Sequence, residues 1–364
     1  QSSASQYYAD RNAPICPLVI KEYFGTLTEQ EKRYAHHIAQ ASWLGARVIL
    51  EQTTPHSSDL FDMLRMVFSA SSDAPHEFAD LDVLREKAGV DADALLAVQE
   101  YAAQCLGNLA NFKSFGDVKF IPRVPAETFR QVVAASARHA EALPLFDKLK
   151  DEIYAVEPAA RTLLGYPEDG HVTNYYSSNV TKADIKLVQE FCESRHMDPL
   201  NTRLFKQEDG TLILRIASSE HGGEPEKHTF NGRTILMAKG DFHPQMAAIA
   251  AELQQALPHA ANDHQRRMLE HYIKHFTNGS IDEHKASQRE WIQDIGPVVE
   301  SNIGFVESYR DPAGVRAEFE GFVAVVNKEM TKKFEHLVNS APQFIPKLPW
   351  GADFEKDKFH KPDF

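Results

Sequence analysis

The chain has 364 residues, 43% of them apolar and 10% aromatic, which is enough material for a substantial core and excludes a disordered protein. At ~150 residues per domain, the length suggests two domains or one lobe of something larger. Lys and Arg number 39 and Asp and Glu 52, leaving a net charge of −13. That balance argues against nucleic-acid and anionic-lipid partners and favours a cationic or free-amine ligand.

In chain order, Thr28 and Glu31 form a capping box. Behind it Tyr34, Ile38, Ala41, Leu44 and Val48 recur at helical spacing to about Gln52. A second helix is expected near 59–69. A third follows Asp91, with Leu95, Val98, Ala102, Cys105 and Leu109 on one face, which makes Cys105 a core thiol. Further helices are expected over 127–139, 143–156 and from Thr181 toward His196. The period then changes. Residues 202–205 and 211–217 flank Glu208-Asp209-Gly210, a turn suited to a hairpin, and 234–238 reads as a third strand. Helices resume over 244–256 and 262–276. Residues 298–309 read as a strand, followed by a helix from Glu318 to about Val338. The coarse class is α+β, mostly helical, with a small sheet or barrel in the middle. From Pro342 to Phe364 prolines prevent a regular helix, while Phe344, Trp350, Phe354, Phe359 and Phe364 need a surface to bury against, in this chain or in sequence outside it.

Cys16, Cys105 and Cys192 are odd in number and widely spaced, with no CxxC pair. This excludes a disulfide framework and a thiolate zinc site, and makes the reducing cytoplasm the expected compartment. No apolar run approaches the ~20 residues of a membrane helix. Residues 1–8 have neither the basic nor the apolar region of a secretory signal. Because the first residue is not Met, the true N-terminus is expected to be missing or processed.

Phosphate-loop, GxGxxG and GxSxG motifs are absent. His271 and His275 share a helix face at zinc-pair spacing, but Tyr272 stands where a hydrolytic helix needs Glu, and the pair reads as a solvated face. His36, His37, His221, His228 and His243 have no sequence-local partner that would make any of them a base. In the strand over 298–309, alternation puts Val299, Ser301, Ile303, Phe305, Glu307 and Tyr309 on one side. Two readings fit. Either the strand leaves a core and opens into a cleft, with Glu307 facing an ammonium and Tyr309 donating to a carbonyl or oxyanion. Or it ends at the surface, with Arg310 and Asp311 in a turn. Glu318 and Glu320 likewise read as helix-capping carboxylates or as substrate contacts.

The run GPVVESNIGFVESYRDPAGVRAEFEGFVAVVNK (296–328) resembles the dipeptidyl peptidase III family of zinc exopeptidases. NFKSFGDVKFIP (111–122), NTRLFK (201–206), ANDHQ (261–265), GSIDEHKASQREWIQDIGP (279–297) and LPWGADFEKDKFHKPDF (348–364) match collinearly. The resemblance implies half of a two-lobed peptidase: a mostly helical lobe around a small β-barrel over 1–327, then a crossover helix and the start of a helical zinc lobe over 328–364. It implies zinc in the complete enzyme. The family's HExxxH helix and third zinc ligand do not occur here, so this chain is expected to bind no metal and to be inactive alone, as part of a longer protein. Implied partners are short oligopeptides and the missing catalytic lobe. By residue match Tyr309 would be catalytic, Glu307 would hold the substrate ammonium, and Ser308, Phe115 and Glu318 would line the cleft. Asn302 departs from an aromatic common in the family, on the opposite strand face. A different class, a non-catalytic peptide-binding or interaction module, also fits the chain.

Overall fold

Thr28 Oγ1 accepts the Glu31 backbone N–H at 3.3 Å, and the Glu31 carboxylate accepts the Thr28 N–H at 2.7 Å, closing the box that starts α1 (Glu29–Leu44). The structure is a computed structural model and describes residues 3–359. The helix expected to reach Gln52 breaks at Gly45, and α2 (Ala46–Thr53) follows. The cause is tertiary: a Cβ at Gly45 would fall inside the Phe319 ring, so glycine is what lets that ring close on the helix.

Five helices come next: α3 (Ser57–Val67), α4 (Leu81–Ala88), α5 (Ala92–Asn108), α6 (Ala126–Ala135) and α7 (His139–Tyr154). Asp91 caps α5 by accepting the Ala94 N–H at 2.7 Å. Met63, Val98, Tyr101, Phe129 and Phe146 bury together between these helices. Cys105 lies in the same core, as its spacing predicts, and burial pushes its thiol pKa up.

A second capping box, Thr181 with Asp184, opens α8 (Lys182–Ser194). The expected hairpin forms between β1 (Thr202–Lys206) and β2 (Leu212–Ala217), turning at Gly210 with φ +86°. β3 (Glu226–Phe230) and β4 (Arg233–Asp241) complete a sheet of order β1-β2-β4-β3, in which β2 and β4 run parallel. β3 carries no apolar alternation because it is an exposed edge strand, where charged residues prevent further pairing.

A third core joins α1 to α9 (His243–Ala256), α10 (Asp263–Asn278), α11 (Ile281–Trp291) and an antiparallel pair, β5 (Val299–Phe305) and β6 (Phe319–Val325). Among the described residues the sheets do not close into the expected barrel. Closure requires an unbroken ring of ladder hydrogen bonds. Here β1 and β3 stay as outer strands of one sheet, and β5 and β6 pair with each other in a second.

The helix expected from Glu318 to Val338 is also corrected. Its first part is β6, and the helix, α12 (Lys328–Asn339), starts only where Asn327 accepts the Met330 N–H at 3.1 Å. Gly321 and β-branched Val323 and Val325 suit a strand better than the helical stripe they mimic. After Phe319 no described residue is buried, and Phe354 is 82% exposed, so the described chain buries none of the described tail aromatics. Pro362 and Phe364 lie outside the described residues.

Candidate functional site

The inward side chains of β5 are Val299, Ser301, Ile303 and Phe305, all buried, as alternation predicts. Gly304 has φ +150°, and a Cβ there would stand 2.6 Å from the His284 ring. The last regular pair is Phe305 with Phe319, so the strand expected to reach 309 stops short. Beyond it the Val306 N–H donates to the Glu318 carbonyl at 3.3 Å, and the Glu318 N–H donates to the Glu307 carbonyl at 2.8 Å. Two residues thus face one, which is the pattern of a β-bulge. The bulge ends the period-two alternation and redirects the segment that follows. Glu307 and Ser308 are half-buried there, and Tyr309 is 69% exposed.

This short exposed segment is anchored at both sides. Before it stands the bulge. After it, Arg310 and Asp311 are buried rather than lying in a solvated turn. The Arg310 guanidinium donates to Thr53 Oγ1 at the end of α2 and to Ser114 Oγ, each at 2.9 Å, and Nε lies 3.5 Å from Glu318 Oε2. The Asp311 carboxylate accepts the backbone N–H groups of Ala313, Val315 and Arg316 at 3.1, 2.9 and 2.7 Å, and the Tyr176 hydroxyl. Arg316, 1% exposed, donates back to the Tyr176 hydroxyl at 3.0 Å. Ser308 Oγ donates to the Gly314 carbonyl at 3.0 Å, so its hydroxyl is engaged within the loop. Sequence reasoning missed Arg310, Asp311, Arg316 and Tyr176, because nothing local separates a buried Arg–Asp pair from a surface turn.

Ser114 also brings in the loop after α5. Its neighbour Phe115 is 91% exposed and borders a groove of about 620 Å³ shared with Asn12, Ile15, Leu96 and Lys113. Asp117 lies on the same loop, and burial raises its carboxyl pKa, partly offset by Arg310. Neither Glu318 nor Glu320 caps a helix: Glu318 directly precedes β6, and Glu320 lies within it opposite Gly304. Burial raises the pKa of both; at Glu318 Arg310 opposes the shift, and at Glu320 the neighbouring Glu307 adds to it. The structure therefore brings Asp117 and Glu318 to the Arg310 guanidinium, with Glu307 and Glu320 as further acidic neighbours of Glu318. Asn302 lies on the other side of β5, where Nδ2 donates to Gln288 Oε1 at 3.0 Å.

The histidine pair on α10 is not a solvated face. His271 Nδ1 meets a Glu283 carboxylate oxygen at 2.5 Å, and His275 is 1% exposed, with Nδ1 2.8 Å from the Ser280 carbonyl. The helix packs that side against α11 and β5, which the local pattern does not reveal. Among the described residues no three His, Cys, Asp or Glu side chains are placed to hold a metal ion. The donor set of the described residues does not fit a zinc site.

The sequence profile of peptidase family M49 matches residues 145–364. Dipeptidyl peptidase 3 of Dictyostelium discoideum is 40% identical over 363 residues, covering 100% of this chain and 51% of that protein. Dipeptidyl peptidase 3 of Homo sapiens is 40% identical over 380 residues, covering 99% and 50%. The chain spans about half the length of the curated relatives it matches. Among solved structures, that of DPP III from Caldithrix abyssi superposes with a TM-score of 0.50 at 14% identity, over 91% of this chain and 46% of that one, a likeness of fold.

Proposed function

The chain belongs to peptidase family M49, and from that premise we propose that it forms the substrate-binding lobe of a dipeptidyl peptidase acting on short oligopeptides. The observation that carries this reading is the segment 307–309, with Glu307 and Ser308 half-buried and Tyr309 exposed, held between two anchors beside a cluster of carboxylates. A peptide's free ammonium is the ligand such a cluster would take: the raised carboxyl pKa values of Glu318 and Glu320 come first from burial and then from neighbouring acids, and an incoming cation would offset both. In this reading Glu307 holds the ammonium and Glu318 walls the cleft. Tyr309 donates to the scissile carbonyl as charge develops on its oxygen. Ser308 and Phe115 flank the bound chain.

The division near residue 327 lies between β6 and α12, and residues from 328 onward lead to a partner lobe that would supply zinc and its ligands. The described cysteines are unpaired, which supports a reducing compartment such as the cytoplasm. No described helix is long and apolar enough to cross a membrane.

The test is Glu307→Gln in the complete polypeptide, assayed with matched free-amine and N-acetylated peptides. The expected result is weaker binding of free-amine peptides alone, since only they place a charge against residue 307. Equal losses for both series would remove Glu307 from the ammonium site.

A further inference from the structure

Arg310 has no assigned role at the site, yet it is the charged group there that joins the most distant parts of the chain. Its side chain is 5% exposed. It donates to Thr53, which closes α2, and to Ser114, which opens the Phe115 loop, and it pairs with Glu318 at the start of β6. Thr53 and Ser114 are fixed independently: Thr53 Oγ1 donates to the Ile49 carbonyl at 2.7 Å, and the Ser114 N–H donates to Asn108 Oδ1 at 2.8 Å. Three elements from distant parts of the chain therefore meet on one planar fork. A guanidinium can hold such partners at once, whereas an ammonium is a single point on a flexible stem. Arg310 also directly follows Tyr309, so where the fork sits determines where the Tyr309 backbone sits.

We propose that Arg310 is a positioning residue that sets the spacing between the Phe115 loop and the Glu307–Tyr309 segment without touching substrate. This rests on the reading of Glu307 and Tyr309 as substrate-facing. Its consequence is that the Phe115 loop and the Tyr309 segment are coupled: loosening Arg310 moves Phe115 and Tyr309 relative to each other while the ammonium contact at Glu307, held by the bulge, persists. Small misplacements of groups acting in a transition state cost rate more than binding.

The experiment uses the complete enzyme and a double-mutant cycle. Arg310→Lys keeps the charge and removes the fork; Ser114→Ala removes one arm and leaves the arginine buried and paired. The expected result for Arg310→Lys is a fall in kcat of about 10-fold or more with KM within about twofold, and a smaller fall for Ser114→Ala. In a Tyr309→Phe background, Arg310→Lys should cost little more, because the group it positions is already gone. An unchanged kcat in both single variants overturns the proposal, as does a loss fully additive with Tyr309→Phe. If Arg310→Lys does not fold, Ser114→Ala in the same cycle decides by the same criteria. If Tyr309→Phe alone leaves kcat untouched, the reading of the site fails and this inference with it. If Tyr309→Phe is damaging and the Arg310 and Ser114 variants are not, only this inference fails.

Discussion

Tyr309 is a phenol held out into solvent on a backbone that is not free to move, with a β-bulge on one side and the buried Arg310 and Asp311 on the other. A donor fixed in this way loses little entropy when it meets a developing oxyanion. Tyr309→Phe in the complete enzyme is therefore expected to lower kcat by ~10²-fold with little change in KM, measured by steady-state kinetics. A kcat within twofold of the parent would remove the hydroxyl from the chemistry. The alternation expected to carry Glu307 and Tyr309 holds only as far as Phe305, because the bulge that ends it is set by pairing with residue 318. Arg310 and Arg316 were not legible, because burial of an arginine depends on partners such as Thr53 and Tyr176, which are 257 and 140 residues away.

Among the elements, β6 shows how tertiary contacts override a plausible local pattern. Phe319, Phe322, Val323 and Val326 fit a helical stripe, yet the segment pairs with β5 and lies on the C-terminal end of α1. Two glycines permit that approach: Gly45, whose Cβ would enter the Phe319 ring, and Gly321, whose Cβ would lie 2.9 Å from the Ser42 side chain. Gly45 has φ −67°, so alanine there meets a steric conflict and no backbone strain. Gly45→Ala is expected to destabilise the protein by about 1–3 kcal/mol through overpacking, read as a lower denaturation midpoint at unchanged m. Trimming the ring with Phe319→Leu in the same chain should reduce the penalty of the Gly45 substitution. An additive pair of effects would place the conflict elsewhere. The capped helices were legible because their signals are local: Thr28 with Glu31, Asp91, and Thr181 with Asp184 all act within one turn.

At the scale of the whole molecule, the third core encloses two histidines whose rings are 5.2 Å apart, His275 and His284. Burial first and the neighbouring His284 second lower the His275 pKa to about 3; burial lowers that of His284 to about 4. In the unfolded chain both titrate near 6.5. Between those values the unfolded state binds more protons than the native one, so stability is fully present above about pH 6.5 and is lost as the pH falls toward 4. Each histidine adds up to about 1.4 kcal/mol per pH unit to that slope. Urea midpoints followed from pH 7 to 4.5 should fall more steeply for the parent than for a His275→Gln, His284→Gln double variant; parallel profiles would contradict the assignment. By itself, the sequence determined the helical and strand periods, the caps, the core position of Cys105 and the resemblance to a peptidase family, because all of these are written in short spacings or long matching runs. Only the tertiary structure decided that the sheet stays open, that the 318–325 segment is a strand, that the α10 histidine face is buried, and that Arg310 joins α2, the Phe115 loop and β6. Each of these depends on which distant surfaces meet, and the free energy of that meeting outweighs the local preferences of a few residues.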